Sequence, residues 1–254
     1  MGYETIILEK GRIAKITLNR PNKLNALSTQ LKKELIAAIG EVKKDPNTRV
    51  VIFSGAGRSF CAGQDVSETV SYKAEDAKTW IKGYEDLYDA IRSIDVPTIV
   101  AIKGYAVGAG LQIALLMDLK IAAEDAKLGL TEINVGIPCI TGSQILYMLG
   151  MPLCKVAEMI MLGLDGLISG KEAAQYGLVN KAVPLEELDK AVLSIAEKIA
   201  SYPPVAESLN KGWLRELTKK PLEEAAKYAA IAHTKAFASG EPQKAMADFL
   251  SKKK

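Results

Sequence analysis

Residues 104–118 read GYAVGAGLQIALLMD. The run is apolar except for Gln112 and a closing Asp118, and it contains Gly104, Gly108 and Gly110. It follows TIVAIKG, a short β-branched block that predicts a buried strand, so a strand feeds a helix through Gly108, Ala109 and Gly110. A helix start leaves backbone N–H groups without intrahelical partners, and the helix dipole favours negative charge there. The stretch GAG is therefore either an anion or oxyanion cradle or a place where two backbones pack closely, since small residues serve both ends. It is not a dinucleotide fingerprint, because Ile113 stands where GxGxxG needs its third glycine, and GLISGK has the wrong spacing for a phosphate loop.

Outward from this run, YETIILEK and RIAKITLN alternate apolar and polar residues and predict two strands joined as a hairpin at Gly11. STQLKKELIAAIGEVKKD has helical spacing, with Ser28 as N-cap and Pro46 beyond its end. RVVIFSG is a buried strand, residues 74 to 94 form an amphipathic helix closed by Pro97, and LKIAAED returns as strand. The alternation implies βα crossover units with sheets covered by helices, an α/β fold. After Val183 only helices are expected: EELDKAVLSIAEKIASY, VAESLNKGWLRELTK and EEAAKYAAIAHTKAFASG. Pro203 and Pro204 mark the boundary, dividing a core of residues 1–200 from a helical region of residues 201–254.

With 254 residues the chain can bury a core of one large domain or of a domain with a helical appendage. A content of 48% hydrophobic and 25% charged residues is that of a soluble globular protein. Thirty-three basic against thirty acidic residues leave a formal charge of +3, too small to indicate nucleic acid, and the closing KKK reads as a solvated tail. MGYETIILEK lacks a basic segment followed by a long apolar stretch, and Ile6 stands where myristoylation needs Ser or Thr, so neither signal is expected. The apolar runs fall short of the roughly 20 residues that span a bilayer. Cys61, Cys139 and Cys154 are odd in number and without CxxC spacing, against a disulfide framework or zinc site. A cytoplasmic location is expected, an organelle matrix being the other possibility.

A second glycine loop, SGAGRSFCAGQDVSE at residues 54–68, leaves a buried strand through Gly55, Gly57 and Gly63. Asp65 is placed to cap a helix, with Glu68 completing a capping box. Two such loops after two buried strands can aim N–H donors at one point.

The chain resembles the crotonase superfamily, also called the enoyl-CoA hydratase/isomerase family, across nearly its whole length. The resemblance rests on NRPNKLNAL (19–27), GRSFCAGQD (57–65), AIKGYAVGAGLQIALLMDLKIA (101–122) and LGLTEINVGIP (128–138), which agree in order and spacing. It implies a spiral core of repeated ββα units, a C-terminal helical trimerisation region and coenzyme A thioester substrates. It places the thioester oxygen between the backbone N–H groups of Gln64 and Ala109, where the family more usually has a small residue and a glycine. Lys23 falls in the part of the motif near the coenzyme A phosphates. Ala26, Ala62, Gly63, Asp65, Val66 and Gly108 complete the substrate-binding set. No metal is implied, and no cofactor beyond the coenzyme A that arrives with the substrate. A homotrimer or dimer of trimers is implied, with no nucleic-acid or membrane partner.

Family hydratases carry two glutamates. The second is Glu132, among Leu128, Leu130, Ile133 and Val135, apolar surroundings that raise a carboxyl pKa toward neutrality and suit a proton shuttle. The first falls on Gln112, which can orient water but cannot act as an ordinary carboxylate base. The leading expectation is therefore an enoyl-CoA isomerase in which Glu132 moves a proton between two carbons. The alternatives are a hydratase using Glu132 with water held by Gln112, and a non-catalytic CoA-thioester or RNA-binding relative. Asp118 is expected to order a turn, His233 to be structural and Cys61 to fill space. Tyr228 and Phe237 either close an acyl pocket or pack the core.

Overall fold

The computed structural model describes residues 2–252, so Lys253 and Lys254 of the basic tail lie outside the described residues. The chain opens with the antiparallel hairpin of β1 (Ile6–Glu9) and β2 (Ile13–Leu18), as the alternation predicts. Ala14, Ile16 and Leu18 of β2 are buried on one face. Helix α1 (Thr29–Lys44) follows, capped by Ser28, whose hydroxyl accepts from the Leu31 N–H at 3.1 Å. Next come β3 (Val50–Gly55), the one-turn α2 (Val66–Thr69), α3 (Ala74–Arg92), β4 (Thr98–Ile102), β5 (Tyr105–Val107) and α4 (Ala109–Leu115).

The third turn of the chain is β6 (Leu119–Ala123), β7 (Lys127–Gly129), α5 (Ile140–Met148) and α6 (Leu153–Leu162). Then follow β8 (Ile168–Ser169), α7 (Gly170–Gln175), β9 (Lys181–Val183) and α8 (Leu188–Ala200). Among the described residues the strands form a six-stranded sheet, β1-β2-β3-β4-β6-β9, parallel from β2 onward, and a three-stranded sheet, β5-β7-β8. Two successive passes of the chain each give one strand to the large sheet and the next to the small one: β4 then β5, β6 then β7. That is the spiral of ββα units. Every residue of β4 is buried, as a parallel strand covered on both faces requires.

Three expectations about the elements are corrected. The helix of the opening stretch does not follow β4 directly; β5 intervenes, three residues too short to show a period. The two C-terminal helices read on either side of Pro221 are one, α9 (Pro204–Ser239). Pro221 forfeits a single hydrogen bond to the carbonyl four residues earlier. Packing on α3 and α5 holds both halves in one helix. Finally, EPQKAMADFLS forms a further helix, α10 (Glu241–Ser251), which packs on α2 and on the 3₁₀ turn Glu132–Val135.

Asp118 does order a junction, accepting from the Thr98 N–H and hydroxyl, both at 2.7 Å, at the start of β4. It also receives Lys211 Nζ at 2.7 Å, so the buried lysine of α9 is tied to the junction where β4 and β6 begin.

Candidate active site

Lys23, Ala26, Ala62, Gly63, Gln64, Asp65, Val66, Gly108, Ala109, Gln112 and Glu132 all line one cleft of about 1530 Å³. The loop NRPNKLNAL is held in shape by Asn25, itself in the left-handed region at φ 57°. Asn25 Nδ2 donates to the carbonyls of Ala56 and Ser59, each at 2.9 Å, and its Oδ1 accepts from the Arg20 N–H at 2.8 Å. One buried amide thus ties this loop to the second glycine loop.

The two amides meet through strand pairing. Leu27 N–H donates to Gly63 O at 2.7 Å, and Asp65 N–H donates to Leu27 O at 3.2 Å. In that parallel bridge the N–H of Gln64 faces the opposite side. On that side Cys61 pairs with Ala106 of β5, and β5 turns into α4. A methyl group built on Gly63 would lie 3.6 Å from Ala109 N. Neither the Gln64 nor the Ala109 N–H donates to another group among the described residues.

Gly108 makes the turn possible. It adopts φ 55°, ψ −132°, a region costly to any L side chain. A Cβ there would come within 3.4 Å of Thr131 Oγ1 and 3.6 Å of Glu132 Oε1. Gly110 serves the other reading of GAG, since a Cβ on it would run into the Cys61 carbonyl. Close packing and an open N–H therefore coexist in three residues.

Glu132 begins its 3₁₀ turn facing Gly108. Oε1 accepts from Gln112 Nε2 at 2.6 Å, while Oε2 is sealed from solvent without a hydrogen-bond partner. Burial raises its pKa above the usual carboxylate range, against weaker opposition from neighbouring donors, Gln112 among them. The expected apolar wall is partly wrong: Leu128 and Leu130 are buried, but Ile133 is half exposed, because the tight 3₁₀ turn sends it outward. Gln112, Cys139 and the ring of Tyr88 are the closer neighbours.

Helix α3 supplies two residues that periodicity could not distinguish from core. Tyr84 and Tyr88, one turn apart with ring centroids 5.9 Å from each other, hydrogen-bond the two glutamines of the cleft. Tyr84 donates to Gln64 Oε1, and Tyr88 donates to Gln112 Oε1 at 2.8 Å. Arg20 was also not singled out. It spans Ala26 O at 2.6 Å and Asp65 Oδ2 at 2.9 Å, locking the two loops together.

Asp65 caps α2 through the Ser67 N–H at 3.2 Å. Burial opposes its charge, but hydrogen bonds from Ser67 and Arg20 hold its pKa below the ordinary value. Glu68 does not complete a capping box; it turns to the Thr29 N–H and hydroxyl at 2.8 and 2.9 Å, stitching α2 to α1. Cys61 is fully buried, its thiol donating to Asn25 O, with its pKa pushed up to about 12 by burial. His233 stacks edge-on against Trp80 at 5.3 Å and bonds Ala229 O, and burial lowers its pKa. Phe237 packs the core, whereas Tyr228 is exposed. No cluster of three or more His, Cys, Asp or Glu among the described residues could hold a metal ion.

The spiral fold and this cleft define an enzyme of crotonase type. A family model described as enoyl-CoA hydratase/isomerase matches residues 9–254. A short-chain-enoyl-CoA hydratase of Clostridium acetobutylicum is 36% identical, covering 100% of this chain and 97% of its own length. A crotonyl-CoA hydratase of Syntrophomonas wolfei is 34% identical over 100% of this chain and 98% of its own. The crystal structure of an enoyl-CoA hydratase/isomerase from Mycobacterium paratuberculosis superposes with a TM-score of 0.87 at 25% identity, covering 96% of this chain and 98% of that one. The chain belongs to the enoyl-CoA hydratase/isomerase family, the crotonase superfamily.

Proposed function

We propose that this enzyme shifts the double bond of an enoyl-CoA, using Glu132 as its single proton shuttle. The observation that carries the reading is the contrast between two neighbours. Glu132 is an ionisable carboxyl facing the Gly108–Ala109 turn, its Oε1 3.6 Å from where a Cβ on Gly108 would lie, while the other candidate acid is an amide. Glu132 takes the proton from C2 of a 3-enoyl-CoA, and the electron pair moves onto the thioester oxygen held by the N–H groups of Gln64 and Ala109. The pair then returns, a C2–C3 double bond forms, and Glu132 delivers the proton to C4. Each oxyanion donor of this type is worth about 10² to 10³ in rate. Coenzyme A enters with the substrate, its phosphates near Lys23, and the reaction needs no other cofactor.

A second reading is favoured by the relatives named hydratases. Glu132 would draw a proton from water adding at C3 of a 2-enoyl-CoA and return one to C2, with Gln112 holding the water. Incubation with 2-enoyl- and 3-enoyl-CoA of several chain lengths, followed by chromatography and mass spectrometry, separates the readings. Isomerisation yields the conjugated thioester at unchanged mass, hydration adds the mass of water, and a non-catalytic binder yields neither. We assign the exposed stripe Val205, Leu209 and Trp213 on α9 to contacts in a homotrimer or dimer of trimers. Light scattering tests that assignment, and a monomer would overturn it.

A further inference from the structure

We propose that Tyr88 is a positioning residue: its hydroxyl fixes the Gln112 amide so that the NH₂ group faces Glu132 Oε1 and supports the ionised carboxylate. The inference rests on the reading of Glu132 as the proton shuttle. Gln112 is held on three sides, with its oxygen receiving Tyr88 Oη–H at 2.8 Å and its nitrogen donating to Glu132 Oε1 at 2.6 Å. The same nitrogen lies 3.9 Å from Cys139 Sγ. Behind it, a Cβ on Gly142 would come within 3.2 Å of Gln112 Cδ, so the backbone of α5 stops the amide from swinging away.

The motion still open to the amide is a half-turn exchanging its oxygen and nitrogen. An ionised carboxylate only accepts, so it requires the NH₂ side, and the buried Tyr88 O–H, whose acceptor among the described residues is the Gln112 oxygen, requires the carbonyl side. By donating to the amide oxygen, Tyr88 stabilises the orientation that serves the carboxylate. Without that hydroxyl the amide oxygen loses its donor, and the flipped orientation, with carbonyl facing Glu132, gains population by favouring the protonated carboxyl.

The groups facing Glu132 are Tyr84 and Tyr88 from α3, Gln112 from α4 and Cys139 before α5. Elements packed on its turn carry their charges outward or paired: Glu241, Lys244 and Asp248 of α10 and Asp165 are exposed, and Lys155 pairs with Glu158 on α6. Tyr88 is thus the polar group that is hydrogen-bonded to the carboxyl through Gln112.

The test is titration of the Glu132 carboxyl by ¹³C NMR in the unliganded, glutamate-labelled protein, its signal identified by loss in Glu132→Gln. Tyr88→Phe is expected to raise the midpoint by about half a pH unit or more, the scale of one neutral hydrogen bond. Tyr84→Phe, which frees Gln64 instead, is expected to leave it in place. In a Gln112→Leu background, adding Tyr88→Phe is expected to move nothing further. With substrate, Tyr88→Phe is expected to lower kcat by about threefold or more on the acidic limb of its pH profile, with recovery at higher pH and little change in KM. An unmoved midpoint in folded Tyr88→Phe, or a further shift in the Gln112→Leu background, overturns the proposal. A raised midpoint in a protein that turns over neither 2-enoyl- nor 3-enoyl-CoA upholds the positioning role and overturns the functional reading instead.

Discussion

Gln112 Nε2 donates to Glu132 Oε1 across 2.6 Å, so the amide and the carboxyl of the cleft act as one unit. The contact satisfies one carboxyl oxygen and leaves Oε2 buried without a partner. It takes one of the two N–H donors of the amide, the other lying toward Cys139 Sγ at 3.9 Å.

Glu132→Gln is expected to lower kcat by about 10² to 10⁴, the usual contribution of a general acid–base group. The fold should persist, because the substitution removes a buried charge while keeping the shape. Steady-state kinetics beside a melting curve checks both halves, and full activity would remove Glu132 from the chemistry.

Ala109→Pro deletes the donor at the first position of α4 while leaving a residue type that helix starts accept. The expected result is a fall of about 10² to 10³ in kcat. Ala109→Gly keeps the N–H and should retain activity near the parent level in the same assay.

Gln112→Glu brings a second carboxyl to hydrogen-bonding distance of the first, and two such groups share a proton. Water addition to 2-enoyl-CoA is expected to rise, read as product heavier by the mass of water. A folded variant with no such gain would count against the amide as the block to hydration.

Burial raises the Glu132 pKa, so between the ordinary carboxylate value and the raised one the folded chain binds more protons than the unfolded. Stability from this group therefore falls as pH rises through that window, while the catalytically basic form appears. Urea unfolding across pH should show Glu132→Gln gaining on the parent as pH rises, and the acidic limb of kcat should lie above the usual carboxylate range.

Lys211 and Asp118 join α9 to the sheet at 2.7 Å. Lys211→Met is expected to cost about 1.5–3 kcal/mol, since Asp118 keeps its Thr98 donors. Asp118→Ala leaves a buried ammonium uncompensated and should cost more, about 3–5 kcal/mol. Urea midpoints of both variants order the two effects.

Much of this was legible in the residues alone. Alternation in RIAKITLN, the Ser28 cap and the β-branched blocks at β3 and β4 declare their elements because local sterics and one-sided burial set their period. Four motifs in order carried the family, and with it the eleven candidate residues that line the cleft. What escaped had a common cause. The three-residue strand β5 is too short for any period, and α9 runs through Pro221 because packing on α3 and α5 outweighs one lost hydrogen bond. Ile133 turns outward because a 3₁₀ turn redirects side chains that an apolar string cannot orient. Tyr84 and Tyr88 looked like core, since an aromatic on the buried face of a helix has the same spacing whether its hydroxyl is idle or engaged. Which donor meets which acceptor is settled only when distant segments close on each other: the partners of Gln112 lie 24 residues before it and 20 after. Periodicity reports which way a residue faces, and only the folded chain decides what it faces.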